Sequence, residues 1–256
     1  MISKIFHALT LYGSPKVFVW SLLASVAFFF LYWGAKHPYS AGDTTMTALS
    51  LAVVFVGAIL FIAFYTIGNR QLALAFAKVE FGSEDASFMD AVSQGKKYFG
   101  AVTLLILGVC FLTLIVVPAL GTLAGGFFLI SVAGHDFNIL MLFFNFFLVY
   151  AWFFLGTAEI VLADLKFKDT IPETIGFIFD NFLKMFGYAA LLFVLLTFFD
   201  FVVVSLFPLN RIIALPVLVL LFAYLLAFIN SFTVSFVGEN LDTGEERNSS
   251  PEAQED

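Results

Sequence analysis

The sequence predicts an all-α integral membrane protein with about six transmembrane helices. Hydrophobic residues make up 61% of the 256 residues and charged residues only 12%, whereas about a quarter of the residues in a soluble domain are charged. A soluble fold of this length could not bury so much apolar surface. A helix that crosses the hydrocarbon core of a bilayer needs about 20 mostly apolar residues, and six apolar windows of roughly that length occur along the chain.

Polar segments separate the six windows. The windows are roughly Val17 to Gly34, Ala48 to Gly68, Phe99 to Leu120, Phe137 to Ile160, Met185 to Phe207 and Ile212 to Val237. A further apolar stretch, Gly121 to Ala133, is too short to cross alone, and its three glycines disfavour a regular helix. We predict that it lies on the outer side or re-enters the membrane. If it crosses, the count becomes seven.

The distribution of Lys and Arg predicts the orientation, because short cytoplasmic loops collect basic residues. With the N-terminus inside and six spans, ten basic residues fall on one side and two on the other. The ten are Lys4, Lys16, Arg70, Lys78, Lys96, Lys97, Lys166, Lys168, Lys184 and Arg247, and the two are Lys36 and Arg211. We therefore predict a multi-pass protein of the cell membrane with both termini in the cytoplasm.

Composition and motifs argue against several classes of function. The net charge is -7 and no basic stripe occurs, which argues against nucleic-acid binding. The single cysteine, Cys110, allows neither an internal disulfide nor a cysteine-based metal site. Nucleotide-binding, metalloprotease and serine-hydrolase signatures are absent from the sequence. We predict a non-enzymatic protein without cofactor or metal, formed by one membrane domain over residues 1–238 and a disordered acidic cytoplasmic tail over 239–256.

Two polar segments of similar design follow the second and fourth windows. Each begins with the pattern of a capping box, from Ser87 to Asp90 and from Thr170 to Glu173. In such a box the hydroxyl of the residue that precedes the helix accepts a hydrogen bond from the backbone N–H of the acidic residue three positions later. The side chain of that acidic residue accepts one from the backbone N–H of the hydroxyl residue. Apolar residues then recur at spacings of three and four. The pattern predicts two amphipathic helices along the cytoplasmic interface.

The same segments indicate an internal repeat. Ala77 to Phe81 (AKVEF) corresponds to Ala163 to Phe167 (ADLKF), which gives a repeat of about 86 residues. We predict repeated helical hairpins over about 70–160 and 156–238, preceded by a truncated unit over 1–69. Each hairpin follows a capped amphipathic helix.

This order of elements resembles the YciC-like proteins and the membrane domain attached to some glycerophosphodiester phosphodiesterases, two groups of prokaryotic membrane proteins. The resemblance covers residues 1 to about 238. It implies a helical membrane module without established chemistry, because the soluble barrel that carries catalysis in the fused phosphodiesterases is missing. No functional residues are transferred by it.

Asp200 is the clearest candidate for a functional group within the bilayer, where charged side chains are costly. It lies eight residues before Pro208, which places it about 12 Å below the outer helix end. Asn145 of the antiparallel fourth window lies eight residues from Phe137 and therefore shares this depth. Asp200 could bind a proton or cation, hydrogen-bond to Asn145 or Thr197 and hold helices together, or reach toward the outer water.

Other polar residues favour structural interpretations. We expect Glu159 and Asp164 to form interfacial ion pairs with Lys166 and Lys168. The polar stretch between residues 230 and 235 is more typical of helix packing than of substrate binding.

Three functions remain open after these observations. We prefer a membrane module that scaffolds, assembles or regulates a partner membrane protein or a second copy of itself within the lipid bilayer. The alternative is a permease or channel for a small solute or ion, with Asp200 as its proton or cation site. A lipid-modifying enzyme that uses His135 or the cytoplasmic acidic residues is the third and least supported hypothesis.

Overall fold

The computed structural model describes residues 12–36, 44–81, 87–123, 129–132, 135–138, 147–206 and 211–248, which are mainly α-helical. The α-helices are α1 (Pro15–Lys36), α2 (Thr44–Phe81), α3 (Phe88–Gly95), α4 (Phe99–Leu123), α5 (Phe153–Leu162), α6 (Thr170–Asp180), α7 (Phe182–Leu206) and α8 (Arg211–Asn248). A 3-10 turn, Lys96–Tyr98, joins α3 to α4, and a π-helical segment, Phe147–Trp152, leads into α5.

Five helical segments in the described ranges are long and apolar enough to cross a membrane. They are Pro15–Gly34, Thr47–Glu80, Phe88–Thr113, Phe182–Phe199 and Ala214–Leu241. The predicted fold class, an all-α membrane protein, is therefore confirmed. The fourth predicted window contributes a shorter apolar helix, Phe153–Leu162. Since residues 139–146 lie outside the described part of the chain, a sixth span stays a prediction.

The glycine-containing stretch between the third and fourth windows includes a strand, and whether it lies on the outer side or re-enters the membrane stays a prediction. Helix α4 continues to Leu123, and β1 (Leu129–Val132) then pairs antiparallel with β2 (His135–Asn138). The fourth window was predicted to begin at Phe137, but this residue lies in β2. A hairpin is feasible here because β-branched and aromatic residues favour strands and glycine interrupts a helix.

Helix α8 corrects the prediction that disorder begins at residue 239. It continues without a break to Asn248. Extending an existing helix avoids the unfavourable nucleation step, so even a polar sequence can remain helical directly after an apolar one. The predicted tail from residue 249 onward lies outside the described residues.

Helices α1 and α2 form a close antiparallel pair. A methyl group added at Gly57 would lie 2.9 Å from the backbone nitrogen of Leu31, so the two backbones approach each other closely there. Small residues permit such approaches between membrane helices. Helix α8 packs against α1, α2 and α5, and their buried side chains form the main core with those of α7.

The short helices gather at one end of the bundle, which we call the basic end. Here α2 ends, α3 and the 3-10 turn lead into α4, and the loop over residues 163–169 connects α5 to α6. Trp20 of α1 stacks on Phe88 of α3, with ring centroids 4.2 Å apart. The basic end contains the first of the two polar networks described below.

Candidate functional site

Helix α3 begins with the predicted capping box. The backbone N–H of Ser87 donates to Asp90 Oδ2 at 2.7 Å, and the backbone N–H of Asp90 donates to Ser87 Oγ at 3.1 Å. Ser87 has extended backbone angles, φ -72° and ψ 164°. This geometry lets a residue preceding a helix turn its hydroxyl onto the first helical amides.

The second predicted capping box, at Thr170 and Glu173, does not form. Asp169 precedes α6 with helical backbone angles, φ -94° and ψ -11°, and makes no side-chain cap. The Thr170 hydroxyl instead donates to the carbonyl of Lys166 at 3.0 Å. A tight turn from Lys166 to Asp169 leads directly into the helix, so no extended residue is available to act as the cap.

Asp164 links the loop after α5 to the 3-10 turn before α4. Lys97 Nζ donates to its two carboxylate oxygens at 2.6 and 2.7 Å, and the Tyr98 hydroxyl donates to Oδ1 at 2.5 Å. These hydrogen bonds, chiefly the one from Lys97, lower the pKa of Asp164 from its ordinary value. Asp164 was predicted to pair with Lys166 or Lys168, so the predicted partners were wrong.

Arg70 of α2 joins three elements at the same end. Its Nε and Nη2 atoms donate to Gln94 Oε1 of α3 at 3.0 and 2.6 Å. Its Nη1 atom donates to the carbonyl of Val161 at 3.2 Å, which satisfies a carbonyl in the last turn of α5. The guanidinium carbon lies 5.6 Å from the centre of the Tyr98 ring. We call Arg70, Gln94, Lys97, Tyr98 and Asp164 the basic-end network.

A second polar network lies inside the bundle. The Tyr65 hydroxyl of α2 donates to Asn230 Oδ1 of α8 at 3.1 Å, and Asn69 Nδ2 donates to the Tyr65 carbonyl at 3.0 Å. The hydroxyls of Tyr188 and Thr233 are hydrogen-bonded, which links α7 to α8. All five side chains are buried. Hydrogen bonds of this kind hold membrane helices together.

Glu159 of α5 is buried rather than paired with lysine, so the predicted ion pair was wrong. Its side chain is 4% exposed, and its Oε2 atom has no hydrogen-bond partner among the described residues. The Thr174 hydroxyl of α6 faces this carboxyl and is itself fully buried. Glu173, which is exposed at the start of α6, is the charged residue whose electrostatic field reaches the Glu159 carboxyl.

The residues predicted to form an intramembrane site are not brought together by the described part of the chain. Asp200 belongs to α7, but its side chain is not among those that the structure describes. Asn145 lies outside the described residues altogether. Their proposed pairing, and a proton or cation site at Asp200, stay predictions.

Sequence reasoning missed Tyr65, Asn69 and Arg70 as members of polar networks. Tyr65 and Asn69 were passed over because they lie at the inner end of a long apolar window. The signal was available, since polar residues four apart lie on one face of a helix. Asn230 and Thr233 belong to the polar stretch of the last window, for which helix packing was predicted.

The fold defines an all-α integral membrane protein, and its described polar contacts between helices form two networks, one at the basic end and one inside the bundle. Comparisons with protein-family models, with curated proteins and with solved structures find no match. The resemblance to the YciC-like proteins and to the phosphodiesterase-linked membrane domain therefore stays a prediction.

Proposed function

We propose that the protein is a non-enzymatic scaffold of the cell membrane that assembles or regulates a partner membrane protein. The length of α8 is the observation that carries this proposal. The helix is continuous over 38 residues, which corresponds to about 57 Å at 1.5 Å per residue. The hydrocarbon core of a bilayer is only about 30 Å thick. One end of α8 therefore extends beyond the apolar layer, and its span by composition ends at Leu241.

We call residues 238–248, which comprise the end of the span and the residues beyond it, the extension, and it begins where α8 is held firmly. A methyl group added at Gly238 would lie 2.5 Å from Phe76 Cζ of α2, so the two helices are in close contact. On the other side, Lys184 Nζ of α7 donates to Asn240 Oδ1 at 2.5 Å. A helical extension fixed at its base presents a surface of defined direction.

The extension is acidic in sequence, with Glu239, Asp242, Glu245 and Glu246 against a single Arg247. With both termini in the cytoplasm, as the charge asymmetry favours, these residues lie at the cytoplasmic face. The complementary partner is the basic juxtamembrane segment of another membrane protein, since cytoplasmic loops are enriched in Lys and Arg.

Crosslinking in native membranes tests the scaffold. We expect a photoreactive residue in place of Glu245 to yield one stoichiometric protein adduct. Replacing Asp242, Glu245 and Glu246 by their amides should reduce it about tenfold at physiological salt. The matched control replaces Glu252, Glu255 and Asp256 in the same way and should leave the adduct unchanged. Absence of a stoichiometric adduct, or equal loss in both variants, would contradict the proposal.

A proton- or cation-coupled permease is the second candidate, and Glu159 is the observation that favours it. A buried carboxyl inside a membrane bundle is costly and marks a functional site by default. Asp200 was the predicted site for this role, and Glu159 adds a second carboxyl on α5. The buried side chains of Glu159 and Thr174 face each other between α5 and α6.

Ion flux in proteoliposomes tests the permease. A permease requires pH-dependent flux in the wild type that is lost in Glu159→Gln or Asp200→Asn and retained in the control variant Glu173→Gln. Flux equal to that of empty liposomes would remove this candidate. Robust flux that depends on either carboxyl would instead overturn the scaffold.

A further inference from the structure

A groove with a volume of about 230 Å³ opens at the basic end, between α2, α3 and α4. It is lined by Ala63, Thr66, Ile67, Gly95, Lys96 and Phe99. The Thr66 hydroxyl donates to the carbonyl of Ile62 at 2.7 Å, so its hydrogen-bonding capacity is used within its own helix. The groove thus has apolar walls and one cationic side chain.

Lys96 differs from the other basic residues nearby. Lys97 is bound to Asp164, and Arg70 is bound to Gln94 and the Val161 carbonyl. Lys96 is exposed, and its side chain has no hydrogen bond or ion pair within the ranges that the structure describes. Because a 3-10 turn has three residues per turn, Lys96 and Lys97 project from different sides of it. The ammonium group of Lys96 remains available to a ligand.

The position of the groove relates it to the bilayer surface. Lys96 lies just before the apolar part of α4, and the stacked pair of Trp20 and Phe88 packs beside α3. Aromatic and basic residues at the ends of apolar spans mark the headgroup level. On α2, Ala63 lies one turn from Ile67, nearer the middle of the hydrophobic window. The groove therefore leads from the headgroup level into the hydrocarbon layer.

We infer that this groove binds one anionic phospholipid of the surrounding bilayer. The phosphate and the acidic headgroup lie against Lys96, and part of an acyl chain lies along Ala63, Ile67 and Phe99. Basic pockets between membrane helices on the cytoplasmic side bind anionic headgroups. The inference does not depend on the scaffold proposal, because it requires no partner protein.

Other occupants suit the groove less well. A partner helix, about 10 Å wide, is too thick for a space of this volume. Free phosphate would contact Lys96 but leave the apolar walls uncovered. A neutral apolar molecule would gain nothing from the lysine. Of these occupants, a lipid with an anionic headgroup is the one that uses both parts of the groove.

Native mass spectrometry of the full chain, released from nanodiscs of phosphatidylcholine and phosphatidylglycerol, provides the test. We expect one tightly bound phosphatidylglycerol in the wild type. Lys96→Gln should weaken the preference for phosphatidylglycerol about fivefold, as expected for one lysine near a membrane surface. The exposed lysine of the neighbouring loop supplies the control, and Lys168→Gln should leave the preference unchanged. Ala63→Phe should fill the groove and remove the bound lipid whichever headgroup it carries.

Several outcomes would overturn the inference. They are an unchanged lipid preference in Lys96→Gln, a retained lipid in Ala63→Phe, or displacement of the lipid by millimolar inorganic phosphate. If Ala63→Phe does not fold, the comparison of Lys96→Gln with Lys168→Gln still decides whether the groove binds an anionic lipid. All readings are made on purified protein, so they are independent of whether a scaffold partner is found.

Discussion

The two short amphipathic helices, α3 and α6, start from the same sequence pattern and reach different structures. Helix α3 has its capping box and lies close against α2, since a methyl group added at Gly95 would be 3.1 Å from the Ile67 Cα atom. Helix α6 has no cap, and an added methyl group at Gly176 would meet nothing within 4 Å. A capping pattern therefore predicts a helix start, whereas the preceding backbone decides whether the cap forms.

The surroundings of α3 and α6 differ as well, in the contacts that their side chains make. Phe179 of α6 and Leu183 at the start of α7 are 73% and 85% exposed. Apolar side chains at this end suit a helix that lies in the membrane interface. On α3, Met89 is also exposed, but one face of the Phe88 ring stacks on Trp20, and Arg70 and Lys97 add polar links. We therefore expect the α3 region to be a fixed part of the bundle and α6 to be held more loosely.

The largest difference is expected from matched glycine substitutions. Gly95→Leu would force the new leucine side chain against the backbone of α2, and such overpacking typically costs about 1–3 kcal/mol. Gly176→Leu places the same side chain in open space, where replacing a helical glycine gains about 0.5–1 kcal/mol. Unfolding in mixed detergent micelles measures both free energies. Equal destabilisation by the two variants would show that α6 is packed as tightly as α3.

Much of the fold could be predicted because its signals are local. Long apolar runs predicted the spans, and a capping box joins residues only three apart, as at Ser87 and Asp90. The contact between Lys97 and Asp164 joins residues 67 apart in sequence, so no local pattern could reveal it. The burial of Glu159 likewise depends on how α6 folds back on α5. The candidate sites are products of packing and were predicted less well than the helices.

The acidic residues of the two capping patterns give the next largest difference. Asp90→Ala removes one half of a formed capping box and should cost about 0.5–1 kcal/mol. Both variants remove the attraction of a carboxylate to a helix N-terminus. Glu173→Ala removes nothing more, whereas Asp90→Ala also removes a capping hydrogen bond. Hydrogen exchange of peptides that cover the starts of α3 and α6 measures the effect locally. We expect faster exchange at α3 in Asp90→Ala and a smaller change at α6 in Glu173→Ala. The reverse order would mean that the cap of α6 forms in the membrane.

Acid should loosen the α3 region by a small amount. The pKa of Asp164 is lowered in the folded protein, chiefly by its hydrogen bond from Lys97. Its contribution to stability is therefore fully present above the ordinary value of 3.8 and is lost as the pH falls through the lower folded value. Because both side chains are 56% exposed, the effect should stay below about 1 kcal/mol.

Hydrogen exchange of the peptide containing the 3-10 turn, compared at pH 5 and pH 3, measures this effect. Exchange corrected for its intrinsic pH dependence should increase at pH 3 in the wild type. It should be nearly independent of pH in Asp164→Asn, because the amide cannot gain or lose the charge that Lys97 binds. Asp180→Asn, at the end of α6, serves as the control and should keep the wild-type response. If Asp164→Asn also keeps it, the acid sensitivity belongs to another carboxyl and the Lys97–Asp164 contact does not help to fix the α3 region.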